Sequence, residues 1–120
     1  MAYDTNNIFA KILRGEIPCR KVFEDDQVLA FHDIAPQAPS HILVLPKGAY
    51  ADLGDFTARA TPGEIAAFFR ALGKIAKDEG LEEAGYRVIV NCGANGGQEV
   101  PHLHFHLVGG RKLGRMLQPA

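Results

Sequence analysis

Tryptophan is absent from this 120-residue chain, cysteine occurs twice, and charge of one sign is not in excess. Each shortage excludes something. No stretch reaches the roughly 18 apolar residues of a membrane span. The opening MAYDTNNIFAKILRG also lacks the basic head and apolar core of a secretory leader. We therefore expect a cytoplasmic protein with no membrane partner. Cys19 and Cys92 lie far apart with no CxxC pairing, so two reduced thiols are expected, neither in a nucleophile motif. Lys and Arg number 13 against 14 Asp and Glu, a formal net charge of -1. No global field draws such a chain onto nucleic acid or an anionic membrane, and any phosphate must be held by a local site. The hydrophobic fraction of 47% and charged fraction of 22% are those of an ordinary globular chain, long enough for one core and one domain over 1–120. Residues 1–5 are expected to be a flexible N-terminus.

The periodicity then sets out the elements. Ile8, Phe9, Ile12 and Leu13 recur at helical spacing, with Asn6 or Asn7 to cap and Gly15 and Pro18 to end the helix. Two short strands follow at 21–24 and 28–32, with Asp25, Asp26 and Gln27 as the turn. After the two prolines of IAPQAPS, the run HILVLP has no polar alternation and reads as a strand covered on both faces. Residues 47–60 read as a polar connection. TPGE at 61–64 then supplies a cap, a first-turn proline and a capping-box glutamate for a helix with Ile65, Phe68, Phe69, Leu72, Ile75 and Ala76 on one side. YRVIVNCG and HLHFHLVGG are two more strands, separated by a glycine-rich loop. The order predicts an α+β domain with two helices and a mainly antiparallel sheet of five strands.

The row HLHFHL at 102–107 is the feature that asks for a function. On a strand, Leu103, Phe105 and Leu107 turn to one face and His102, His104 and His106 to the other, with the imidazoles about 6 to 7 Å apart. Three readings stand. The rings decorate a half-solvated strand. They hold a metal, with alternate positions giving two ligands and His41, His32 or a carboxylate completing the set. Or one neutral imidazole attacks phosphorus while its neighbours bind the oxygens. Gly93, Gly96 and Gly97 in the preceding turn let backbone amides approach an anion, which favours the last reading. The loop has neither a Walker ending nor a Rossmann spacing.

IFAKILRGEIP, VFEDDQVLAFHDIAPQAPSHILVLPK, YRVIVNCGANGGQEV and HLHFHLVGG together resemble the histidine triad family of nucleotide-binding hydrolases, in its Hint branch. The resemblance runs from residue 8 to about 117. It implies a homodimer whose two five-stranded sheets join, a site for a purine nucleotide (AMP or GMP), and hydrolysis of phosphoramidate and acyl-phosphate bonds with no cofactor and no metal. By position, His104 would attack the α-phosphorus and carry the nucleotidyl intermediate, with a backbone carbonyl holding the proton on its other nitrogen. His106 would meet a phosphate oxygen, and His102 and His41 would support the row. Ile8, Phe9, Ile12, Phe31 and Ile34 would wrap the base, and Asp33 would accept from the ribose hydroxyls. Asn91, Gly97, Gln98 and Val100 would contact phosphate from the glycine loop.

The chain departs from the pattern at Glu99, where some relatives carry serine, and in the tail over 111–120, which lacks a tryptophan and in this branch lies near the active site. A carboxylate repels phosphate, so Glu99 is expected on the substrate side against a cationic leaving amine, or else turned outward. A dinucleoside polyphosphate hydrolase and a non-catalytic nucleotide or metal sensor are the competing expectations. His32 is expected to be a bystander.

Overall fold

A computed structural model describes residues 3–119. Residues 1, 2 and 120, which belong to the expected N-terminal segment and tail, lie outside the described residues. The chain opens with helix α1 (Ile8–Leu13), where Asn7 caps by accepting from the Ala10 amide at 2.8 Å. Gly15, at φ 79°, supplies the left-handed turn that closes it. Strands β1 (Lys21–Glu24) and β2 (Val28–His32) fall where the sequence placed them. Asp25 shapes their turn by accepting from the Gln27 and Val28 amides, both at 2.8 Å. Then come β3 (Ser40–Pro46), α2 (Leu53–Arg59), α3 (Pro62–Asp78), β4 (Tyr86–Val90), the single turn α4 (Gly93–Gly96) and β5 (Phe105–Gly109). The sheet order is β1-β2-β3-β5-β4, and every pairing is antiparallel. The α+β class and the five-stranded sheet are as expected.

Strand alternation divides the interior. Val28, Ala30, Ile42 and Val44 turn to one face with Phe105 and Leu107, where Phe68, Leu72 and Ile75 of α3 cover them. Leu29, Phe31, Leu43 and Leu45 turn to the other face, against Phe9 of α1. The capping box of α3 is formed in both directions, with Thr61 accepting from the Glu64 amide and Glu64 accepting from the Thr61 amide. Beyond that stripe, Phe69 is 48% exposed. The outermost strand β4 leaves Tyr86, Val88 and Ile89 uncovered.

Two expectations are corrected. Among the described residues there are four helices, not two. Helix α2 lies inside the stretch read as a connection: it is started by Asp52, which accepts from the Asp55 amide, and it buries only Phe56, too little for a visible period. Helix α4 is a single turn inside the glycine loop. The second correction concerns the histidine row, of which only His106 lies within β5, while His102 and His104 precede the first paired residue, Phe105. The apolar half of the expected alternation is in place, since Leu103, Phe105 and Leu107 share the α3-side core.

Candidate active site

The site forms where β2, β3 and β5 present their α1-side face beyond the smaller apolar cluster. A cleft of about 890 Å3 opens there. Ile8, Phe9 and Ile12 of α1 form one wall, and Phe31, Asp33 and Ile34 at the end of β2 form another. Asn91, Gly97, Glu99 and Val100 close it from the glycine loop, and His104 and His106 form the floor. That volume suits a ligand of nucleotide size. Twelve residues named from the sequence meet in this one place, although they come from four separate segments. Ile34 stands almost fully exposed at the rim.

The protonation pattern of the row follows from groups that have no choice of role. His104 Nδ1 lies 2.7 Å from the carbonyl of His102. A carbonyl only accepts, so Nδ1 carries the proton and the lone pair of the neutral ring sits on Nε2. Among the described residues no group is bonded to that Nε2. The ring is buried and meets Phe9 edge to face at 4.8 Å.

The Gln37 amide lies 3.1 Å from His41 Nδ1, and an amide only donates, so His41 carries its proton on Nε2. That nitrogen is 2.9 Å from His106 Nδ1 and 3.4 Å from Asp33 Oδ2. His106 Nδ1 accepts in turn, which leaves its proton on Nε2. The row thus offers one imidazole lone pair, on His104, beside one imidazole N–H, on His106, with ring centroids 5.2 Å apart.

Burial holds the row neutral. It lowers the affinity of His104 for a second proton, against the pull of the His102 carbonyl and the more distant Asp33 and Glu99 carboxylates. Burial also pushes His106 down to about 4, helped by the neighbouring His104 and His41 rings. His102 falls to about 4 for the same first reason.

Three expected residues stand outside the cleft. The His102 ring is fully buried, donating from Nε2 to the Pro46 carbonyl at 2.8 Å. It supports the row through its main-chain carbonyl, not through its ring. His41 acts from behind His106. Gln98, expected at the phosphate, is turned into the loop: Oε1 accepts from the Gly93 amide, and Nε2 donates to the Ala51 and Val100 carbonyls at 2.7 and 3.0 Å. It holds the loop's shape, and Gly97 (φ 77°) provides the left-handed residue that turn requires. His32, taken for a bystander, lies half-buried in the cleft wall with Ile17, Pro18, Cys19 and Arg20. Sequence reasoning also missed Tyr3, whose hydroxyl bonds His102 Nδ1, and Gln37, whose amide fixes His41. No local signal marks either.

Asp33, His41 and His106 place one ligand-type atom each within 4.8 Å of one another. Their types suit zinc. Tetrahedral ligands about 2.0 to 2.1 Å from the ion stand about 3.3 Å apart, whereas His41 Nε2 and His106 Nδ1 are 2.9 Å apart. In this geometry the pair shares a proton, and an ion requires the rings to part.

The chain matches the HIT domain family over residues 14–113. A purine nucleoside phosphoramidase of Escherichia coli (strain K12) is 48% identical over 117 residues, covering 98% of this chain and 96% of the relative. A 14 kDa zinc-binding protein of Zea mays is 48% identical over 111 residues, covering 92% and 86%. Among solved structures, a histidine triad protein from Clostridium difficile superposes with a TM-score of 0.84 at 46% identity, covering 97% of this chain and all of that one. A match over most of the length, joined to relatives alike almost end to end, shows that this chain belongs to the HIT domain family.

Proposed function

We propose that the protein is a hydrolase that cleaves purine nucleoside 5'-phosphoramidates, and related acyl nucleotides, to the nucleoside monophosphate. The observation that carries this reading is the tautomer pattern: a buried neutral His104 whose only lone pair faces away from its carbonyl anchor, beside an N–H on His106. His104 Nε2 attacks the α-phosphorus, the bond from phosphorus to the leaving nitrogen breaks, and the amine leaves with a proton from solvent. The adduct ring becomes cationic, and the His102 carbonyl on Nδ1–H stabilises that charge as it develops. The His106 N–H meets a phosphate oxygen. Water then attacks the same phosphorus, releases the nucleotide and returns His104 to its starting form. Ile8, Phe9, Ile12, Phe31 and Ile34 cover the base, and Asp33 accepts from the ribose hydroxyls. The nucleophile and the groups that hold the phosphate and the developing charge are all supplied by the protein, so the reaction is proposed to proceed without a metal.

The uncovered apolar side chains on β4 and α3 support the expectation of a homodimer that continues the sheet across β4. Sedimentation equilibrium of the purified protein reads this directly, and a monomer at micromolar concentration would remove it.

The experiment for the activity is AMP release from adenosine 5'-phosphoramidate in excess EDTA, with His104→Ala beside the wild type. Turnover by the wild type alone is expected. Activity retained in His104→Ala would overturn the nucleophile. Activity that EDTA abolishes and zinc restores would transfer the reading to the Asp33, His41 and His106 set. Faster cleavage of a diadenosine polyphosphate than of the phosphoramidate would replace the substrate class.

A further inference from the structure

We propose that Tyr3 is a positioning residue for the chemistry of His104, acting through His102; this rests on the reading that His104 is the nucleophile. Tyr3 lies 99 positions from His102 in the chain, yet its hydroxyl bonds His102 Nδ1 and the two rings meet edge to face at 5.6 Å. The Pro46 carbonyl requires the His102 proton on Nε2, so the neutral ring turns a lone pair toward Tyr3 and needs a donor there. The Tyr3 hydroxyl is that donor. With it, both nitrogens of a fully buried ring are held, and neither side-chain torsion of His102 is free.

The importance of this anchor comes from where His102 stands in the backbone. Its carbonyl orients His104 by accepting from Nδ1–H, but residues 102–104 precede β5, so no sheet bond fixes that peptide. The local holds are the Leu103 amide on the Tyr50 carbonyl, at 2.8 Å, and the doubly bonded ring of His102. Removing the hydroxyl leaves Nδ1 without a donor and lets the ring, the peptide and its carbonyl drift together. A small misplacement of a nucleophile is expensive in rate. Tyr3 itself does not line the cleft, so nucleotide binding does not depend on it.

The test is Tyr3→Phe, with Tyr3→Ala beside it, read by kcat and KM on adenosine 5'-phosphoramidate, by AMP affinity, and by the ring-nitrogen NMR shifts of His102 and His104. We expect kcat to fall about tenfold in Tyr3→Phe, with KM and AMP affinity unchanged, a shifted His102 Nδ1 resonance and a weakened Nδ1–H signature at His104. Tyr3→Ala is expected to match it. Wild-type kcat in Tyr3→Phe would overturn the proposal, as would a parallel fall in kcat and AMP affinity, the mark of lost folding. A loss in Tyr3→Ala with none in Tyr3→Phe would assign the effect to ring packing and overturn the role of the hydroxyl. Should the wild type not cleave the phosphoramidate, the proposed reaction fails, and the His104 nitrogen shifts decide alone: changed by Tyr3→Phe they support positioning, unchanged they overturn it.

Discussion

The two faces of the sheet are made by the same strands and do opposite work. Toward α3 the strands present Ala30, Ile42, Val44 and Phe105, which close with Phe56, Phe68 and Ile75 into a continuous apolar interior. Toward α1 a smaller cluster of Phe9, Leu29, Phe31, Leu43 and Leu45 gives way to a cleft floored by imidazoles. Polar groups are tolerated on that side because, among the described residues, every side-chain nitrogen or oxygen cut off from solvent has a partner, and the unbonded His104 Nε2 belongs to a ring that floors the cleft. Stability is thus concentrated on one face and chemistry on the other, and the polar face depends on a few named bonds that the apolar face does not need.

A pair of truncations breaks that division most sharply. On the polar face, His104→Ala is expected to lower kcat by at least about a thousandfold, on the order of 4 kcal/mol of barrier, since no neighbouring group offers a lone pair in its place. Its unfolding free energy should fall by no more than about 2 kcal/mol, the cost of freeing the His102 carbonyl. On the apolar face, Phe68→Ala should cost about 3 to 5 kcal/mol in urea unfolding, because Phe68 is fully buried between Phe56 and Phe105. Its remaining folded fraction should turn over normally. Equal losses of stability in the two variants would erase the contrast.

What the sequence made legible was local. The strands at 21–24 and 28–32, the apolar run of β3 and the capping box at Thr61 and Glu64 all rest on signals within a few residues, and each is found in place. The family resemblance brought together the cleft residues from four segments, which periodicity alone does not do. Missing were the bonds that cross the chain. His102 meets Pro46 across 56 positions and Tyr3 across 99, and Gln98 meets Ala51 across 47. Such pairings leave no local pattern. For the same reason the three histidines did not share one role: His104 and His106 floor the cleft, whereas the His102 ring is held away from it by Pro46 and Tyr3.

Acid should weaken the polar face selectively. The ordinary histidine value near 6.5 applies in the unfolded chain, while burial holds His102 and His106 at about 4 in the fold. Above pH 6.5 both states are neutral and the stability is complete. Between pH 6.5 and 4 the unfolded state takes up protons that the native state refuses, so stability falls as pH falls, and the loss is complete below the folded value. For His102 the loss is about 3 kcal/mol, and half-buried His106 adds less. Urea midpoints at pH 7 and pH 5 read it, and His102→Asn should flatten the slope. A native protein equally stable at both values would refute the burial of His102. Because burial also lowers His104, the acid limb of kcat/KM should lie below pH 6.5.

The smallest effect sharpens the comparison within the polar face itself, between residues that touch a ligand and residues that shape the loop. Gln98 makes three bonds, to the Gly93 amide and the Ala51 and Val100 carbonyls, and lies outside the cleft. Gln98→Ala removes all three, but the Gly93 bond is exposed and the other two are only part-buried, so water replaces much of what is lost and about 1 kcal/mol of stability is expected to go. The loop's hold on Asn91 and Val100 loosens, and KM should rise severalfold while kcat, set by His104 and His106 at the cleft floor, stays near that of the wild type. Gln98→Glu separates the two kinds of bond, because a carboxylate still accepts from Gly93 yet repels the Ala51 and Val100 carbonyls to which the amide donated. It should raise KM further than alanine does. If the two variants instead lower kcat with KM unchanged, Gln98 acts on the reacting phosphate and the division between loop and floor is wrong.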